Sequence, residues 1–112
     1  MTRYVAVALS SPRPGMEDEF NDWYDEQHLS EVLASGIVDA ARRFRSSDRS
    51  GDPATAQRYM TIYEFETDDL RDAKKRIMGE QTPEQRETVS LLVEPDSVEV
   101  RFYELITDRS GR

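Results

Sequence analysis

The amino-acid sequence predicts a single α+β domain, a four-stranded antiparallel sheet covered by helices on one face. Three observations lead there. Apolar residues switch between the period of two expected of strands and the 3.6-residue period of helices, in the order β-α-β-β-α-β. The chain has 112 residues, the size of one ordinary domain with one core. No internal repeat or low-complexity stretch interrupts the pattern, so residues 1–107 read as one domain and residues 108–112 as a frayed tail.

Each element has its own signal. Tyr4 to Leu9 is a short apolar run, stopped by Ser10-Ser11-Pro12-Arg13-Pro14-Gly15, and reads as a central strand entering a turn. Met16, Phe20, Trp23, Tyr24 and Gln27 then gather on one side of a helix, while Glu17, Asp18, Asp22, Asp25 and Glu26 make a wet opposite side. After His28-Leu29-Ser30 this helix continues, or restarts at Ser30, and ends at Gly36. Ile37 to Arg45 reads as a strand with Ala41, Arg43 and Arg45 on one face and Ala40, Arg42 and Phe44 on the other. Ser46 to Ala56, rich in Ser, Asp, Gly and Pro, is a polar loop joining it to an antiparallel strand, Gln57 to Glu66. There Tyr59, Thr61, Tyr63 and Phe65 alternate with Met60, Ile62, Glu64 and Glu66. Thr67-Asp68-Asp69 starts a helix with Leu70, Ala73 and Ile77 as its buried stripe and Gly79 at its end. Thr82-Pro83-Glu84-Gln85 fits a capping box with proline at the first helical position, predicting a short helix through about Leu92, although Val89 to Val93 also suits extended chain. Ser97 to Thr107 alternates Val98, Val100 and Phe102 with Glu99, Arg101 and Tyr103, and closes the sheet.

This order is the split βαβ arrangement of ferredoxin-like domains. Helices cover only one face of such a sheet, so strands with apolar side chains on both faces need a second cover. A second copy of the chain supplies it most economically, which predicts a homodimer.

Composition removes several classes of function. Against 23 acidic residues stand 15 basic ones, a formal charge of −8 that repels nucleic acid and anionic membranes. Cysteine is absent, which excludes disulfides, thiolate catalysis and Cys-ligated zinc. The first apolar run is shorter than the core of a secretory signal, so a cytoplasmic location is expected. There is no Gly-rich phosphate loop, no Ser or Cys nucleophile motif and no His/carboxylate set at metal-ligand spacing; no metal and no cofactor are expected.

His28 is the single histidine, and its side chain alone exchanges protons near neutral pH without a perturbed pKa. At about 100° per residue it falls beside Tyr24, at the edge of the apolar stripe. The plainer reading is a helix-terminal histidine near the last carbonyls. Trp23 and Tyr24 can wall an apolar cavity, with the Tyr24 hydroxyl as a donor to a carbonyl or phenolate, or can be core. Phe20 shares their stripe. Tyr59 and Tyr63 share one strand face with Phe65, and reach a ligand only if that face looks toward the helices. Arg42 and Arg43 point to opposite sides of their strand, so at most one, taken as Arg43, can hold a carboxylate in a pocket.

The run Pro14-Gly15-Met16, then Phe20-Asn21-Asp22-Trp23-Tyr24-Asp25-Glu26-Gln27-His28-Leu29, then Val32-Leu33 and Gly36 to Phe44, resembles the EthD-like members of the dimeric α/β-barrel superfamily. In that family a proline-glycine turn leads to a helix ending in an aromatic "WY…E.HL" stretch and a strand ending "A.RF". The resemblance is strongest over residues 1–45, and Ser30 stands where the family usually carries a proline. It implies a dimeric barrel, a pocket for a small and often aromatic molecule, and a motif histidine at position 28. Relatives include muconolactone isomerase, olivetolic acid cyclase and cofactor-free monooxygenases, so no single reaction is implied.

The expectation is therefore a cofactor-independent enzyme acting by acid/base catalysis on an apolar or aromatic carbonyl compound, of isomerase, cyclase or lyase type. His28 and Tyr24 are its catalytic candidates, and Trp23, Tyr63, Tyr59, Phe20 and Arg43 its ligand contacts. The alternatives are a non-catalytic small-ligand-binding or accessory protein of a catabolic or biosynthetic pathway, and a cofactor-free monooxygenase.

Overall fold

The structure, a computed structural model, describes residues 1–47, 57–79 and 81–111. Residues 48–56, most of the expected polar loop, lie outside that description. Four strands, β1 (Thr2–Ser10), β2 (Val38–Arg45), β3 (Tyr59–Thr67) and β4 (Glu99–Glu104), form one sheet in the order β2-β3-β1-β4. Every neighbouring pair is antiparallel. The apolar β1 lies inside the sheet, as its two apolar faces require. Helix α1 (Glu17–Trp23) runs through a π-helical turn (Tyr24–His28) into α2 (Leu29–Ala34), and α3 (Leu70–Met78) and α4 (Pro83–Leu92) follow β3. The fold is thus the α+β, ferredoxin-like arrangement read from the sequence.

Local chemistry sets the element ends. Gly36, at φ 79°, closes α2 in the left-handed region where a side chain would be strained. The Asp69 side chain accepts the Asp72 N–H to cap α3. Thr82 and Gln85 form the reciprocal capping box, with Pro83 in the first turn, and settle residues 83–92 as helix rather than strand. Beyond it Val93 is extended and bridges Pro12, with Arg13 N–H donating to the Leu92 carbonyl at 2.8 Å and Glu94 N–H to that of Ser11 at 2.9 Å. These bonds tie the end of α4 to the end of β1.

The register orients the sheet faces. Ala6 pairs with Tyr63, and Tyr63 with Ala41, so Tyr59, Thr61, Tyr63 and Phe65 look toward the helices together with Arg43. Phe65 is fully buried and joins Ala6, Val38, Tyr63 and Ala73 in one core cluster. Phe20, also fully buried, joins Tyr24, Tyr59, Leu92 and Val93 in a second. The other face carries Val5, Val7, Met60 and Ile62, half-buried, with Phe44 and Tyr103 exposed. Ion pairs cross its rim: Arg3 with Glu66 at 2.6 Å, and Arg42 with Glu64. Among the described residues no element covers this face.

Candidate functional site

The π-helical turn builds the site. The Leu29 N–H reaches back five residues to the Tyr24 carbonyl, so the turn is wider than an α-helical one. In a regular helix residues five apart diverge by about 140°; the wider turn narrows that divergence. His28 therefore stacks on Trp23, ring centroids 4.8 Å apart and 26° from parallel, and meets the Tyr24 ring edge-on at 4.9 Å. Single-turn π segments of this kind recur at functional sites.

These three rings wall a cavity of 190 Å³ between the helices and the sheet. Its other surfaces are mostly aliphatic, from Ala6 and Ala8 on β1, Ile77 on α3, Val89 on α4, and Val93. Tyr63 enters it from β3. An adjoining hollow of 250 Å³ shares Trp23, His28, Ile77 and Gln81, and adds the polar groups Glu31, Arg76 and Gln85. A mostly apolar chamber thus adjoins a polar vestibule, with His28 on the wall of both.

The titrating groups are tuned by this setting. Burial holds the His28 imidazole below 6.5; Glu31, three residues on, pulls it upward, and Arg43 pushes it further down. Among the described residues no hydrogen-bond partner occupies either imidazole nitrogen, leaving both for a ligand or water. Burial pushes the Tyr63 phenol well up, and the nearby Tyr24 hydroxyl adds to the shift. At neutral pH the chamber therefore holds a neutral imidazole, a proton acceptor, and the Tyr63 phenol, which keeps its proton as a donor.

The remaining candidates lie elsewhere. Arg43, Tyr59 and Phe20 do not line the chamber. Arg43, only 12% exposed, sits 4.4 Å above the Tyr24 ring, with Tyr59 and Phe20 at 5.4 and 5.7 Å. Such cation–π contacts contribute about 0.5–2 kcal/mol where water is displaced. Its guanidinium donates to Asp25 at 2.8 Å and to the Asn21 side-chain oxygen at 2.9 Å. The Asn21 amide donates to the Tyr59 hydroxyl at 3.2 Å, and Tyr59 in turn donates to Glu17, which also accepts from Arg58 at 2.7 Å. This polar chain borders a separate, open depression that Asp18 and Arg45 help to line. Sequence reasoning missed the π turn, the α4 wall and the Asn21 bridge. Only the third has a sequence signal, a polar side chain one position after Phe20 on the helix side that meets the sheet.

Among the described residues no group of three or more His, Asp or Glu could hold a metal ion. Among the described residues no helix is long and apolar enough to cross a membrane.

No protein-family model matches the sequence, and no curated protein matches it. Solved structures do. HapK from Hahella chejuensis superposes with a TM-score of 0.65 at 13% identity, over 97% of this chain and 98% of that one. An ethyl tert-butyl ether d (EthD) family protein from Bacillus halodurans matches at a TM-score of 0.55 and 13% identity, over 95% and 100%. A dimeric ferredoxin-like protein of unknown function from Thermobifida fusca matches at 0.57 and 10%, over 93% and 92%. At these identities what is shared is the fold, and it spans more than nine-tenths of each chain compared.

Proposed function

We propose that this protein is a small enzyme that moves a proton on an apolar or aromatic carbonyl compound, with His28 as the acid/base, and that it works as a homodimer. The observation that carries this reading is an imidazole with no protein hydrogen-bond partner among the described residues, kept neutral by burial and facing a mostly aliphatic chamber. The chamber suits an apolar ring or short acyl body. Tyr24 binds the substrate oxygen and polarises it, while the imidazole takes a proton from the adjacent carbon and returns it elsewhere. Trp23 and Tyr63 hold the apolar body, and no cofactor is needed for such a transfer. The uncovered sheet face supports the homodimer, and the Thermobifida fusca neighbour is itself dimeric.

The test begins with proton NMR of the single histidine, alone and with a panel of phenols, ketones and small aromatic acids. A ligand from the panel should shift the His28 signal and lead to a substrate. With that substrate, His28→Ala should cost about 100-fold or more in kcat while changing ligand affinity only a few-fold. A full rate in the variant removes the proton-transfer role. Ligand binding without turnover in the parent protein makes this a binding protein instead.

A further inference from the structure

Arg43 is an awkward residue for a ligand contact and a suitable one for another purpose. It lies outside the chamber, yet its guanidinium rests on the ring of Tyr24, which lines the chamber and touches His28. Two bonds fix the plane of that guanidinium, to Asp25 at 2.8 Å and to Asn21 at 2.9 Å, both from the helix that carries Tyr24. The buried Nε makes no hydrogen bond among the described residues. A buried donor left without a partner costs stability, so the guanidinium is held in this pose against that cost.

We propose that Arg43 is a positioning residue: bridging β2 to the α1 helix, it clamps the Tyr24 ring so that the phenol and the His28 imidazole present themselves together to the chamber. This rests on the reading of Tyr24 and His28 as the working pair. Its charge acts through the same contact. The charged and titratable groups around His28 are Glu31 on α2, Arg76 on α3, Tyr24 in the π turn, Tyr63 on β3 and Arg43 on β2. Arg43 opposes Glu31 in setting the imidazole charge, and so favours the free base.

The experiment compares four ligand-free proteins by NMR, following the His28 titration and the Tyr24 ring signals: the parent, Arg43→Met, Arg43→Lys and Arg42→Met. Arg42 is the control, a neighbouring cation on the opposite sheet face. Arg43→Met should raise the His28 pKa and displace the Tyr24 ring signals. Arg43→Lys keeps a cation but loses the flat, two-point anchor, so the titration should stay near the parent's while the Tyr24 signals still move. Arg42→Met should move neither. A role in packing alone would make Met and Lys equivalent in the titration, and that result overturns the proposal. If Arg43→Met does not fold, the gentler Arg43→Lys decides alone: Tyr24 signals identical to the parent's overturn it. None of these readouts needs a substrate, so a protein without turnover would sink the enzymatic reading and leave the clamp standing.

Discussion

His28 ties stability to pH through its burial. Its folded pKa lies below 6.5, so as pH falls the unfolded chain takes up a proton before the folded one does. This contribution is complete above 6.5, is lost as pH falls from there through the folded pKa, and is constant below it. In urea unfolding at a series of pH values, the parent should lose stability relative to His28→Gln across that window, and the two curves should run parallel above it. Glu17 behaves in the same direction at more acid pH. Hydrogen bonds from Tyr59 and Arg58 hold its carboxyl below 4.5, so its contribution persists above that value and disappears beneath it. A histidine as a candidate was legible in the sequence because only one is present. That its nitrogens would be unoccupied was not, since the partners of a side chain depend on distant chain.

At the scale of elements, capping chemistry is local and was readable; the π turn was not. Thr82, Pro83 and Gln85 meet within four residues, and α4 begins where they say. Removing the cap with Thr82→Ala should cost about 1 kcal/mol, a Tm lower by roughly 4 °C, measurable by thermal unfolding. The same variant should bind ligand nearly as the parent does, because Val89 and Val93, not Thr82, meet the chamber. By contrast, the run from Trp23 to His28 has ordinary helical composition. An even 100° per residue brought His28 beside Tyr24 correctly, but left Trp23 out of its reach. There the wider turn goes together with the stacking of Trp23, Tyr24 and His28, which composition alone does not signal. The orientation of β3 was likewise beyond its own alternation, which is equally regular whichever face looks inward; pairing with Ala6 and Ala41 decides it.

For the whole molecule, the proposed homodimer rests on the sheet face opposite the helices. Val5, Val7, Met60, Ile62 and Phe44 form an apolar centre flanked by ion pairs, the anatomy of an interface with a polar rim. Met60 lies opposite Leu9 and Phe44 on this face. Met60→Asp puts a carboxylate with no cation across from it there, twice over in a symmetric pair. It should raise the dimer dissociation constant by roughly 100-fold or more, seen as a monomer in sedimentation with an unchanged circular dichroism spectrum. If the parent itself sediments as a monomer at every concentration, the homodimer is wrong. The candidate site lies on the other side of the sheet, and the stack of Trp23 on His28 makes it visible from outside. With one tryptophan in 112 residues, the indole emission of the entire chain originates on one wall of one cavity. The protein thus carries its own optical indicator, and a change of charge on the imidazole or a molecule lodged against the indole is reported without any label.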